Sequence, residues 1–355
     1  MKANQTLALI IGCLLFAGVG CISFQTGNTP SGGNDGGVFK TSDKGEIWAQ
    51  KAAVSTSGKE AKSIGGLNVV FITQDPQDPN AIYIGTTDNG MFYSYDGGES
   101  WSQPSQLSRG KVSSVAVDPK DKCTIYATSS NTLLKSTDCS RTWDVTYLDA
   151  RPERRTTVVA IDHFNSDIVW TATDGGDILK SFDAGKSWAS VQTLKSPVLR
   201  LAMSVDDSRR LFAATQRSGL WRTTDGGDNW TDLSESYREF NGTNDFVDLA
   251  LGISDPAVIL HASKYGLIRS TDHGDTWESV ELLTPPKSAL VYTVALDPKD
   301  VNGIYYGTAT TFYRSSNGGV NWIPKALPTT RTATALLVDS SNSNVLYMGV
   351  TKFND

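Results

Sequence analysis

The chain has 355 residues and a formal net charge of −6, and it is 39% hydrophobic and 20% charged. That length holds one large domain or two ordinary ones, and the composition excludes a disordered or collagen-like polymer. The acidic balance argues against a general nucleic-acid binder, whose affinity comes from Lys and Arg neutralising phosphates, and four cysteines are too few to staple so large a fold, so an apolar core must hold it.

In chain order, Lys2 supplies a short basic start, residues 7–18 form an apolar run, and Gly18-Val19-Gly20-Cys21 closes it with small residues. This is the pattern of an export signal. The run falls short of the ~20 apolar residues that a spanning helix needs. It resembles a bacterial lipoprotein signal. That resemblance implies a signal peptide over 1–20, lipidation of Cys21, and a location in the cell envelope, with only the lipid touching the membrane on its extracytoplasmic side. Residues 21–37 end in TGNTPSGGNDGG, which lacks core-forming side chains and reads as a flexible tether.

From there one motif recurs seven times: Ser or Thr, any residue, Asp, any residue, Gly, two residues, Trp. The copies are Thr41-Asp43-Gly45-Trp48, Ser94-Asp96-Gly98-Trp101, Ser136-Asp138-Ser140-Trp143, Ser181-Asp183-Gly185-Trp188, Thr223-Asp225-Gly227-Trp230, Ser270-Asp272-Gly274-Trp277 and Ser315-Asn317-Gly319-Trp322. Ser140 and Asn317 are the departures. The acidic (or Asn) positions step by 42 to 53 residues, a spacing that marks a repeat architecture. A second motif alternates with the first: a short apolar strand, an Asp-led turn at Asp75, Asp118, Asp162, Asp206, Asp255, Asp297 or Asp339, and another apolar strand rich in Val, Ile and Tyr.

Each repeat therefore supplies four strands, A and B around the Asp-led turn, C running into the box, and D leaving from the Trp. A lone sheet of this size cannot bury its faces, whereas radial stacking of such sheets can. The expected fold is all-β, a seven-bladed β-propeller of four-stranded antiparallel blades over residues 38–355. Its first box has no preceding A–B hairpin, and its last hairpin has no following box. N- and C-terminal strands sharing one blade would close the ring and remove both free edges. In the box, Asp and Ser/Thr should satisfy turn N–H groups, Gly should take a positive φ, and Trp should fill the gap between blades. The periodic aspartates then read as structural, ahead of acid–base or calcium chemistry. Cys123 and Cys139 flank the hairpin centred on Ser130–Asn131 at positions that could meet, and an exported protein can keep a disulfide.

The seven boxes resemble Asp-box (BNR) repeats. Among proteins that use them, sialidases carry six blades and an Arg-Ile-Pro motif absent here. Xyloglucanases place two Asp between two propellers, and this chain has length for one. Sortilin-type receptors have ten blades. The sequence is most similar to the photosystem II stability/assembly factor family, whose single seven-bladed propellers imply an assembly scaffold for a protein partner. The alternative is a carbohydrate-binding or glycoside-hydrolase-like propeller with a glycan ligand.

His163, His261 and His273 fall at unrelated places in the repeat, which gives no reason to expect a catalytic triad, a metal or another cofactor. The B–C turns and D–A connections should share one face of the ring, and that face is the more variable and locally basic. The candidate binding rim there is Arg109, Arg154, Arg155, Arg200, Arg217, Tyr237, Arg238 and Arg331. The loop from residue 234 to 245, with Tyr237 and Arg238, is the longest D–A connection expected. Asp174 and Asp177 are the one close carboxylate pair in an upper loop, in a sequence that reads as a turn.

Overall fold

The computed structural model describes residues 34–55, 62–285 and 287–353. Among these described residues, alternating apolar and polar residues between Gly- and Asp-rich turns form thirty short strands and two single-turn 3-10 helices. The strands build seven four-stranded sheets. Blades I to VI cover residues 69–111, 115–148, 156–193, 198–232, 246–279 and 293–326 in turn. Blade VII is composite. Its strands A (Thr332–Val338) and B (Leu346–Thr351) come from the C-terminal end, and C (Gly37–Thr41) and D (Ala49–Lys51) from the N-terminal end. Strands B and C pair antiparallel from Gly37↔Val350 to Thr41↔Leu346, which shuts the ring.

Apolar side chains of each blade interlock with the next. Trp101 and Trp143 are buried and sit in clusters with strands of the preceding blade, as do Trp277 and Trp322. The indole N–H groups of Trp101, Trp188 and Trp322 donate across the gap to the carbonyls of Lys51, Thr146 and Glu281. An aromatic ring thus fills each of these seams and its one polar atom is satisfied there.

The structure departs from the expected layout in three places. Asp35 is buried and Gly37 opens strand C, so the stretch read as tether through residue 37 ends in packed structure. The longest D–A connection joins blades VII and I rather than IV and V, and it carries an extra hairpin, Ala53–Val54 with Lys62–Ser63. In blade I the outer strand is split. Ser102 pairs with Tyr93 at one end, and Gly110–Lys111 runs parallel to strand C at the other. Cys21 and the signal segment lie outside the described residues.

Candidate functional site

The A–B turns and the boxes occupy one face of the ring, here the lower. In every box two consecutive residues take the left-handed conformation: first Lys44, Gly97, Cys139, Ala184, Gly226, His273 or Gly318, then the Gly of the motif or Ser140. The first of them donates its N–H to the A–B turn of its own blade at 2.9–3.2 Å. In six of the seven boxes, all but that of Gly318, its carbonyl accepts from a side chain of the preceding blade. Those donors are Lys40, Lys135, Lys180, Arg222 and Arg314, each just before the box Ser or Thr, and Tyr95 at the junction of blades I and II.

The box carboxylate itself is spent locally. Asp183 accepts from Ser181 Oγ and from the Ser187 hydroxyl and N–H, and the hydrogen bond from the Ser187 hydroxyl leads those that hold its pKa down at about 2. Asn317 accepts from Ser315 Oγ and Asn321 N in the same geometry, so an amide can stand in for the acid. Cys123 and Cys139 are bonded, with Cα atoms 3.9 Å apart, and join an A–B turn to its box. Among the described residues no group of His, Cys, Asp or Glu has the arrangement of a metal site.

The upper face holds the B–C turns and D–A connections, and the eight candidate rim residues divide there. Two are corrected by burial. Tyr237 is fully buried, with its hydroxyl accepting from Leu220 N, because its 3-10 turn, Ser234–Tyr237, folds the ring into the IV–V seam. Arg331 is 6% exposed and belongs to the closure. Its Nε bonds Asp35, and its Nη1 bonds the carbonyls of Gly66 and Leu67 and the side chain of Asn68. Arg238 is exposed and faces Glu235 at 3.4 Å. Arg200 lies in the central channel. Arg109, Arg155 and Arg217 are exposed, and Arg154 lies half-buried against Gly175. Among the described residues these four guanidinium groups make no hydrogen bond or ion pair. They form a basic arc over the sector of blades I to IV.

Asp174 and Asp177 stand beside the arc. Asp174 accepts from Arg155 N. Burial would raise the pKa of Asp177, but hydrogen bonds from Arg151, Thr193 and Thr173 outweigh it and hold the carboxyl below the usual range.

The strands A line the channel. In blades I, III, IV, V and VII a register shift near the start of strand A leaves one residue unmatched: Val70, Thr157, Leu199, Val247 and Thr334. All five line an upper cavity of about 330 Å³ with Lys111, Arg200, Asp248 and Tyr292. A lower cavity of about 430 Å³, walled by Met203, Leu251 and Leu296, opens toward the A–B turns. The bulges leave little mark in the sequence beyond an unbroken apolar run such as Val69-Val70-Phe71.

Fold and lower face together define a seven-bladed β-propeller whose blades are tied at the boxes. The family described as "Sortilin, neurotensin receptor 3," matches over residues 131–247. A xyloglucanase of Hypocrea jecorina is 24% identical, with the match covering 91% of this chain and 36% of the relative. An oligoxyloglucan-reducing end-specific xyloglucanase of Neosartorya fischeri is 25% identical over 72% of this chain and 27% of its own length. The chain thus spans about a third of the length of these curated relatives. Among solved structures, the GH74 xyloglucanase of Xanthomonas campestris superposes with a TM-score of 0.66 at 16% identity, covering 80% of this chain and 51% of that one. YCF48 bound to D1 peptide gives 0.62 at 16%, covering 81% and 94%, and YCF48 from Cyanidioschyzon merolae gives 0.61 at 16%, covering 84% and 98%. These likenesses establish the shared propeller fold.

Proposed function

We propose that this protein is a non-catalytic propeller of the cell envelope, lipid-anchored through Cys21, that docks an acidic segment of a protein partner on its upper face and acts as an assembly scaffold. One observation carries the reading: the arc of Arg109, Arg154, Arg155 and Arg217, whose guanidinium groups have no partner among the described residues. Neighbouring Arg151, by contrast, spends its charge on Asp149 and Asp177. Arginine left free on a rigid frame is suited to bidentate recognition of carboxylates. A structural neighbour of similar length is described as bound to a peptide, which supports a protein partner. Strand C of blade VII begins at the upper face, so a lipid on Cys21 would hold that face toward the membrane. Crosslinking pull-down from envelope fractions tests this. Arg154→Glu with Arg155→Glu should abolish recovery of the partner, and undiminished recovery by this variant refutes the docking arc.

The second reading is a glycan-active propeller, favoured by the xyloglucanase relatives that cover most of the chain. Hydrolysis would need two carboxyl groups about 5–10 Å apart, one of them protonated at working pH. Asp177 is held in the anionic form, which suits an ion-pair partner better than a general acid. A hydrolysis screen on xyloglucan, with Asp174→Asn and Asp177→Asn as controls, separates the two readings.

A further inference from the structure

The channel contains a cation whose hydrogen-bonding capacity is largely unspent. Arg200 projects from strand A of blade IV and borders both the upper and the lower cavity. Among the described residues its one charged contact is Asp248 in blade V, at 3.4 Å, beyond normal hydrogen-bond length. Asp248 is already committed elsewhere. One oxygen accepts from Thr293 Oγ1 at 3.0 Å and Val294 N at 3.1 Å in blade VI, and the other accepts from Leu249 N at 2.9 Å. The carboxylate is thus a tie between the inner strands of blades V and VI, and it leaves the guanidinium without a close partner.

Arg331 shows what a purely structural arginine looks like here: buried, with four acceptors within 3.2 Å. Arg200 differs on both counts, since its side chain is 45% exposed, and the exposure is to the channel. Above it, Lys111 adds a second cation to a cavity whose one lining acid among the described residues is Asp248, so the balance of that described lining is one positive charge. Val70, Ile72, Leu199 and Val247 supply apolar wall. A volume of about 330 Å³ is that of roughly ten waters, enough for a small organic anion or the last residue of a peptide.

We infer that the upper channel is a binding site for one carboxylate group, received by the Arg200 guanidinium with Lys111 at the mouth. Two sources present that chemistry, a free organic acid and the C-terminal carboxylate of a peptide. The inference goes beyond the docking reading and stands without it, because neither Arg154 nor Arg155 lines this cavity.

Calorimetric titration of the full-length protein tests it with four probes: acetate, galacturonate, and one tetrapeptide with its C-terminus free or amidated. Saturable one-to-one binding of a carboxylate probe at up to about 10 mM is expected. Saturation by acetate or galacturonate identifies a free acid. Saturation by the free-ended but not the amidated peptide identifies a chain terminus. Arg200→Met should weaken binding about tenfold or more. Arg200→Lys keeps the charge but loses the fork and should fall between. Asp248→Asn removes the competing charge while retaining an acceptor for Thr293, and should tighten binding. Lys122→Ala, exposed in an A–B turn on the opposite face, should leave it unchanged. The inference is overturned if no probe saturates, if the amidated peptide binds as well as the free one, or if a folded Arg200→Met protein binds with wild-type affinity. Loss of partner capture with carboxylate binding intact would refute only the docking arc.

Discussion

Removing the guanidinium that locks the ring should cost far more than removing one from the rim, and the structure says how much. Arg331 and Asp35 are both about 95% buried, and they join the C-terminal half of blade VII to the entry of its N-terminal half. Breaking a buried pair from one side costs roughly 3–5 kcal/mol, because an uncompensated charge is left behind. Asp35 also accepts from Thr329 Oγ1, Thr330 N and Thr330 Oγ1, so it keeps three donors when Arg331 is lost. Arg331→Ala should therefore fall near the low end, about 3 kcal/mol, or roughly 4–5 °C in Tm for a domain of this size. Arg331→Met with Asp35→Asn removes both charges and should recover part of the loss. Arg109→Ala, on the exposed arc, should stay within about 0.5 kcal/mol of wild type. The measurement is reversible urea unfolding followed by tryptophan fluorescence. A loss below about 1 kcal/mol for Arg331→Ala would mean that the pair is incidental to closure. The stabilising hydrogen bonds and ion pair hold the Asp35 carboxyl below its usual range against the opposing effect of burial, so this contribution is present at neutral pH and disappears as acid protonates it.

Three further outcomes follow from the packing. His261 is fully buried, and burial lowers its pKa from 6.5 to about 4, against a hydrogen bond to Thr243 O that raises it. The unfolded chain therefore takes up a proton first, and stability should fall by about 3 kcal/mol as pH drops from 7.5 to 4; denaturation curves across that range should flatten in His261→Phe. In the box, Asp183→Asn should lower Tm less than Asp183→Ala, since Asn317 already does this work in blade VI; equal losses in differential scanning calorimetry would contradict the role of the acceptor oxygen. Gly227 has φ +97° and leaves 2.5 Å between an added Cβ and the Trp170 ring, so Gly227→Ala should destabilise by about 2 kcal/mol or more; a loss under 0.5 kcal/mol in urea unfolding would contradict the close approach.

The blade number, the shared closing blade and the place of each box were legible because each repeat writes them locally. Ser181, Asp183 and Gly185 act on one another within five residues, so spacing alone carries the message. What escaped the sequence depends on contacts between repeats. Nothing near Lys180 marks it as a donor to Gly226, 46 positions on; the one sequence signal is the basic residue that stands before the box Ser or Thr in six copies. Arg200 and Arg331 look alike in sequence. One faces the channel because a bulge shifts its strand, and the other is buried because Asp35 returns to meet it from 296 residues away. Tyr237 reads in sequence as an interface anchor, as aromatic loop residues often are, but its ring has a closer apolar home beside Trp277.

The composite blade also governs how the protein bears load. Strand C of blade VII is clasped on one side by five partners of strand B and on the other by three of strand D. A tug on the chain ahead of Asp35 acts along that strand, so the clasp must slip as a unit instead of peeling bond by bond. A pull on the N-terminal arm would therefore load a strand that is gripped along both of its edges.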